Sequence, residues 1–398
     1  MSIFENVPSL PPDPIFGLGI RFKKDTHPHK VDLTVGIFRD EDLGASTLRS
    51  VKEAERVLEK VEKNKLYLSM VGDQTFIEEA QKLVFGADFC NEATGTLFGV
   101  QTIGGTGGLR LGGDFLAREV TKRVYLSDPS WSNHRGIFEG CGMEIKFYPY
   151  YGCERHTFDF ERMLEALSHA PANSVVVLHG CCHNPTGCDP TEAQWKALST
   201  FLLEKKLIPF FDFAYQGLGR GLEEDAWAIR HFAAQGHEMF VAASYSKNFG
   251  LYGERIGCLS VTAKNRQLSQ NLATAFERLA RIGYSNPPRH GAGIVTTILR
   301  DFGLSQLWKG EVNQMRTRIT RMRNGLADAL EKRFGKDRFG FLRRRHGLFS
   351  MPGIDEKQVD RMIDEYGVYL TRGGRINLTG LNEKNLPYVI EAIVKTAG

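Results

Sequence analysis

Two short runs decide the fold: Ser174-Val-Val-Val-Leu178, and Ile208-Pro-Phe-Phe211 closed by Asp212. Both are almost continuously apolar. A strand with one wet face alternates apolar and polar residues, whereas a run without alternation is the pattern of a strand buried on both faces, as in a parallel sheet covered by helices. Working outward, Arg123–Leu126, Glu144–Tyr148, Met239–Ser244 and Gly257–Thr262 are further strand candidates, separated by longer helical stretches. Upstream, Leu48 to Val61 predicts an amphipathic helix with Val51, Ala54, Val57, Leu58 and Val61 on its apolar face. The rhythm predicts an α/β protein with a mostly parallel central sheet flanked by helices.

Beyond the sheet, a long polar helix is expected from near Leu304 through Arg323, because Glu311 to Arg323 contains neither Gly nor Pro. Gly347–Pro352 and Arg375–Thr379 read as strands with helices between and after them, which predicts a smaller α+β domain with a boundary near residue 310. At the other end, Pro8, Pro11, Pro12 and Pro14 predict an extended arm over residues 1–15. A length of 398 residues suits two or three domains. Hydrophobic content of 42% and charged content of 25% exclude disordered and fibrous classes. The net charge of +4, from 51 Lys and Arg against 47 Asp and Glu, argues against bulk electrostatic capture of nucleic acid. Arg343-Arg344-Arg345 is too short to change that and reads as a solvated basic face. Seven Cys, with Cys181 and Cys182 adjacent, make no disulfide framework and suit a reducing compartment. No secretory leader is visible, and no apolar run approaches about 18 residues, so a soluble, cytoplasmic protein is expected.

In open α/β sheets ligands bind beyond the carboxyl ends of the strands. The residues there are chemically varied. Ser174–Leu178 leads to His179-Gly-Cys-Cys-His183-Asn184-Pro-Thr-Gly187, and Ile208–Phe211 leads to Asp212-Phe-Ala-Tyr215. Met239–Ala243 leads to Ser244-Tyr-Ser246-Lys247, and Arg123–Leu126 leads to Ser127-Asp-Pro-Ser-Trp131. Upstream, Gly104-Gly105-Thr106-Gly-Gly108 opens a helical pattern, and such a turn presents free N–H groups to an anion. It fits neither common nucleotide motif, since Arg110 stands where a third Gly would be. Ser244, Ser246 and Arg255 add two hydroxyls and a guanidinium suited to a phosphate, and Lys247 among them is suited to forming an imine with an aldehyde. The bland readings are a plain helix start for the Gly turn, a surface Lys, a capping Asp212 and a core Trp131. No metal is expected at His179, Cys181, Cys182 and His183, because neighbouring Cys on extended backbone point to opposite faces.

Taken in order, these pieces resemble the class I aminotransferases, and most of all their aspartate and aromatic amino acid subgroup, which uses pyridoxal phosphate. The likeness covers essentially the whole chain: Val35-Gly36, Tyr67-Leu68, Gly104–Arg110, Asp128–His134, His179–Gly187, Asp212–Gln216, Ser244–Tyr252 with Glu254-Arg255, Tyr284–Pro288 and Gly374–Asn377. It implies a fold-type I transferase with a large domain over 41–310 and a small domain from 16–40 and 311–398. By resemblance, Lys247 holds the cofactor aldehyde and shuttles a proton. Asp212 pairs with the pyridine nitrogen, Trp131 stacks on the ring, and Tyr215 and Asn184 bond its phenolate. Gly105, Thr106, Ser244, Ser246 and Arg255 bind the phosphate, joined by Tyr67 from a neighbouring subunit. His134 and His179 support Asp212. Arg375 and the Gly36 backbone take the substrate α-carboxylate, and Arg281 of the other subunit takes the distal carboxylate, which requires a homodimer.

Gly283 and Gly253 stand where many relatives have Asn. Gly283 removes a polar group near the substrate end of the pocket, which leaves room for aromatic side chains. The expectation is therefore ping-pong exchange of an amino group between aspartate or glutamate and 2-oxoglutarate or oxaloacetate, with aromatic amino acid aminotransfer as the alternative. A β-lyase or decarboxylase on the same fold is opposed by Arg281, and a non-enzymatic protein by intact Lys247, Asp212 and Arg375.

Overall fold

The computed structural model describes residues 2–9, 14–152, 156–335 and 338–397. Its centre is a sheet of seven strands: β1 Leu97–Ile103, β2 Arg123–Asp128, β3 Glu144–Pro149, β4 Val175–His179, β5 Ile208–Phe213, β6 Phe240–Ser244 and β7 Ile256–Thr262. Their order across the sheet is β1-β7-β6-β5-β4-β2-β3. Only β7 runs against its neighbours β6 and β1, and the other adjacent pairs are parallel.

Both faces of the sheet are covered, which explains the unbroken apolar runs. Val175 and Val177 pack on one side with Leu109, Leu116, Phe138, Phe210 and Phe276. Val176 and Leu178 pack on the other with Phe211, Phe213, Trp195, Ile229 and Phe232. The helix Gly104–Glu119 lies close against the first face. A Cβ on its Gly112 would stand 2.6 Å from the Phe210 ring.

The sequence misses β1, and Gln101 and Thr102 are the reason, since both are wholly buried polar residues inside a strand. Gln101 is satisfied from outside the ladder. Its Oε1 accepts from Asp73 N at 3.0 Å and its Nε2 donates to Pro288 O at 2.6 Å. The helix expected from Leu304 to Arg323 runs from Phe302 to Phe334, because Asn324 and Gly325 are tolerated and Gly335, at φ 104°, ends it. The strands expected at Gly347–Pro352 and Arg375–Thr379 shrink to the pair Phe349–Ser350 and Ile376–Asn377.

The helix at Leu48–Val61 forms over Arg49–Val61, but Val57 and Val61 are 42% and 60% exposed rather than packed. The basic run also departs from expectation. Arg343 pairs with Asp328 and Glu331, while Arg345 is buried and donates to His156 O, with its guanidinium 5.4 Å from the Tyr151 and Phe341 ring centres. Of the proline-rich segment, Pro11 and Pro12 lie outside the described residues, residues 2–9 are exposed, and a helix runs from Pro14 to Lys24. A separate two-residue strand, Val31–Asp32, pairs with Val368–Tyr369 and ties an early segment to the C-terminal region.

Candidate active site

Five strand ends meet at one edge. β2, β4, β5 and β6 deliver Asp128, His179, Asp212 and Ser244 there, and β1 delivers Ile103, after which the helix Gly104–Glu119 begins at once. β7, running the other way, starts at the same edge and so brings in Arg255, the residue before it. Because β7 is antiparallel, a cation that precedes a strand joins hydroxyls that follow one.

A corner suited to an anion is built from these pieces. Ser244 Oγ and Ser246 Oγ are 3.3 Å apart, and Arg255 Nη1 lies 3.4 Å from Ser246 Oγ. Arg255 sits at φ 56°, a strained setting for a residue with a Cβ, held by its carbonyl accepting from Gly104 N at 2.9 Å. Gly104 itself has φ 67°, and a Cβ there would come within 2.6 Å of the Arg255 guanidinium. Gly105 faces Ser244 so closely that a Cβ would stand 3.0 Å from the Ser244 Cβ. Thr106 follows in the first turn of the helix, whose free N–H groups point toward this corner. Among the described residues no carboxylate pairs with Arg255; its side-chain bonds go to Ser246 Oγ and Tyr252 O.

Beside the corner stands a chain of ionisable groups. Asp212 Oδ2 and His134 Nε2 are 3.0 Å apart, and His134 Nδ1 is 2.8 Å from Ser130 Oγ. Burial would raise the Asp212 pKa, but the bond from His134 and the fields of His134, His179 and Lys247 outweigh it and hold the carboxyl below its ordinary value. An ionised Asp212 only accepts, so His134 Nε2 carries a proton toward it. His179 is held well below its ordinary pKa by burial and by its histidine neighbours, and its Nδ1 accepts from Asn184 N at 3.2 Å. Trp131 is half-buried and meets the His134 ring edge-on, with centres 5.3 Å apart. Lys247 Nζ lies 4.9 Å from the centre of the Tyr215 ring. Burial depresses its pKa, opposed by Asp212 and reinforced by Arg255.

The third part is a buried guanidinium. Arg375 donates from Nη1 to Asn184 Oδ1 at 3.0 Å and from Nη2 to Thr34 O at 2.7 Å, and sits 4.2 Å from the centre of Phe349. Its Nε is buried without a partner, and burial lowers its pKa to about 10. Gly36 is close by, since a Cβ there would stand 3.1 Å from the Phe349 ring. Asn377 Nδ2 bonds Val35 O at 2.6 Å and Ile37 O at 2.8 Å, fixing the backbone on either side of Gly36.

Thus Gly36, Gly105, Thr106, Trp131, Asn184, Asp212, Tyr215, Ser244, Ser246, Lys247, Arg255 and Arg375 gather at one edge. Tyr67 and Arg281 line a different cleft of about 800 Å³ with Leu66, Tyr284 and Asn286. Tyr67 is 90% exposed there, and Arg281 bonds only Ser285 within the described chain. Sequence reasoning misses Phe349, the Thr34 carbonyl, Ser130 and the bracing role of Asn377. A phenylalanine ring and a backbone carbonyl carry no chemical signature in sequence. It also misplaces the adjacent cysteines. Cys182 is left-handed at φ 54°, so both sulfurs lie within 4.8 Å of each other and of an Asp225 oxygen instead of pointing apart. That carboxylate already accepts from the N–H groups of Gly217, Gly219 and Arg220.

The family model for aminotransferase class I and II matches residues 28–393. The chain is 42% identical to the aspartate aminotransferase of Haemophilus influenzae, over 99% of this chain and 100% of that protein. It is 41% identical to the aromatic-amino-acid aminotransferase of Pseudomonas aeruginosa, over 99% of each. The crystal structure of the aromatic-amino-acid aminotransferase from Burkholderia pseudomallei, covalently bound to pyridoxal phosphate, superposes with a TM-score of 0.96 at 40% identity and covers 100% of both chains. With the lysine, aspartate and arginine groups gathered at one sheet edge, the chain belongs to the class I and II aminotransferases.

Proposed function

We propose that the protein is an aspartate aminotransferase, which exchanges an amino group between L-aspartate or L-glutamate and 2-oxoglutarate or oxaloacetate by a ping-pong cycle. Its cofactor is pyridoxal 5'-phosphate. The observation that carries the reading is the half-buried Lys247, whose amine lies 4.9 Å from the Tyr215 ring centre and within the field of Asp212, at the same sheet edge as a buried Arg375 that has no carboxylate partner among the described residues. The residues fit the cofactor. The Gly104–Gly105 cradle stays open only without Cβ atoms, and Arg255 has no acidic partner among the described residues.

When bound, the cofactor supplies an electron sink for the substrate α-carbon. The chain does the rest. The depressed pKa of Lys247 favours its free amine, which takes the α-proton and returns it. Asp212, kept ionised by His134, holds a proton on the pyridine nitrogen. Trp131 covers the ring, Tyr215 and Asn184 donate to its phenolate, and Gly105, Thr106, Ser244, Ser246 and Arg255 hold the phosphate. Arg375 and the Gly36 backbone orient the α-carboxylate as a planar pair of bonds. Tyr67 and Arg281 serve the site of a second copy, on the phosphate and the distal carboxylate. Their exposure, together with exposed Leu66, Ile282, Val57 and Val61, supports a homodimer.

The same reading divides the chain into an arm at 1–15, a large domain at 41–310 and a small domain from 16–40 and 311–398, supported by the pairing of Val31 with Val368. We place the protein in the cytoplasm, without nucleic acid partners, on its cysteine usage and near-neutral charge. Among the described residues no helix is long and apolar enough to cross a membrane. Aromatic amino acids are the second reading, favoured by Gly283, around which a Cβ would meet nothing within 4 Å, and by apolar Leu66 in the Arg281 cleft.

A half-reaction separates the two. The purified holoenzyme is mixed with aspartate or phenylalanine, without oxo acid, and its visible spectrum followed. Aspartate is expected to convert the cofactor to its amine form much faster than phenylalanine. Equal conversion makes the enzyme dual in specificity, and absence of any cofactor band refutes the assignment.

A further inference from the structure

Asn184 bonds Arg375, and its backbone follows a kinked loop that no residue of the catalytic set holds. Cys182 in that loop takes φ 54°, a conformation that disfavours a residue with a Cβ by about 1 kcal/mol. Asp189 closes the kink. Its Oδ2 accepts from Cys182 N at 2.8 Å and its Oδ1 from His183 N at 2.8 Å. The next N–H, of Asn184 itself, goes to His179 Nδ1 at 3.2 Å. Three consecutive N–H groups are thus pinned. The His183 ring is clamped as well, with Nδ1 2.8 Å from Thr186 Oγ1, Nε2 3.1 Å from Ser127 Oγ, and its face stacked 3.8 Å from Tyr150. Asp189 forms no ion pair within 4 Å among the described residues; Arg220 and Arg345 act on it only as longer-range fields. Its carboxylate is therefore spent on backbone, at the two positions immediately before Asn184.

We infer that Asp189 is the positioning residue for Asn184. By fixing the backbone at 182 and 183 it aims the Asn184 amide between the ring oxygen of the cofactor and Arg375. The inference rests on the reading of Asn184 as a donor to that oxygen. Without Asp189 the left-handed turn relaxes, the donor moves off the ring oxygen, and Arg375 loses a fixed neighbour. A donor to the ring oxygen stabilises its anionic form, so its loss favours protonation of the group that Lys247 and the cofactor share.

The test is a pH titration of the visible absorption of the holoenzyme for wild type, Asp189→Ala and Asp189→Asn, with Asp301→Asn as control. Asp301 likewise accepts a backbone N–H, at the exposed start of the long helix, and bonds none of the residues gathered at the site. The midpoint is expected to move up by about one pH unit in Asp189→Ala and by less in Asp189→Asn, which keeps one acceptor oxygen. The KM for the amino acid should rise about tenfold, with a smaller change in kcat. The control should stay at the wild-type midpoint. If the alanine chain does not fold, the asparagine chain carries the test. Melting temperatures that fall while midpoint and KM stay at wild-type values would make Asp189 merely structural and overturn the inference. A wild type with no pH-dependent cofactor band would instead overturn the functional reading beneath it.

Discussion

At the scale of single residues, burial decides which ionisable groups are tuned. Lys247 loses basicity because its amine is desolvated, while Asp212 stays acidic because His134 compensates its burial. The same physics acts far from the site at His237. Burial there, with the nearby His231, lowers the pKa from 6.5 to about 4, against the opposing bond with Ser199. The native state thus refuses a proton that the unfolded chain accepts. The stability from neutral His237 is complete above pH 6.5 and is lost as pH falls toward about 4. His237→Asn should therefore flatten the loss of unfolding free energy between neutral and mildly acidic pH, by roughly 2–3 kcal/mol. Urea unfolding at both pH values checks it, and an unchanged pH slope would contradict it. Most of the residues gathered at this edge were legible at this scale because they sit in short motifs beside a strand, Asp212 and Ser244 at strand ends and Arg255 and Arg375 just before a strand. The Phe349 ring under Arg375 was not, since the two meet only through the pairing of Phe349–Ser350 with Ile376–Asn377.

At the scale of elements, a close helix–sheet approach sets the corner proposed for the cofactor phosphate. The helix Gly104–Glu119 reaches β6 and β5 because Gly105, Gly108 and Gly112 present no side chain to Ser244, Ala242 and Phe210. Gly112→Val would drive methyl groups into the Phe210 ring and should destabilise the protein by about 1–3 kcal/mol. It should also weaken cofactor binding, because the helix start moves with the helix. Thermal unfolding and cofactor titration measure the two effects. A variant as stable and as tightly loaded as wild type would show that the contact is slack. Strands β4 and β5 were legible as unbroken apolar runs. β1 was hidden because buried Gln101 bonds loops on either side of it, a use of a polar side chain that periodicity does not anticipate.

At the scale of the whole molecule, the single chain places Arg281 in a cleft that Lys247 does not line. In the proposed dimer each site draws Arg281 from the other copy. Two separately inactive chains, Lys247→Ala and Arg281→Ala, should then complement one another. A hybrid holds one site with neither defect. Mixing and reassociating equal amounts should restore roughly a quarter of wild-type aspartate turnover, since half the dimers are hybrids with one sound site each. No recovery, with hybrids verified by mass, would place Arg281 outside the partner's site.

The covered parallel sheet, the strand-end residues and the resemblance that named their chemistry were all readable in the amino-acid order, because these depend on local runs and short motifs. That order did not show that Val57 and Val61 would lie exposed, that Arg345 would be buried, or that Cys181 and Cys182 would point together. Those outcomes depend on which distant segment packs against each residue, and on a left-handed turn at Cys182 that Asp189 holds through backbone N–H groups. The convergence of Gly36, Asn184, Phe349 and Arg375, drawn from the early, middle and late parts of the chain, was likewise decided only when distant segments packed and the early and late strands paired. Local pattern sets what an element is; long-range contact sets what each side chain meets.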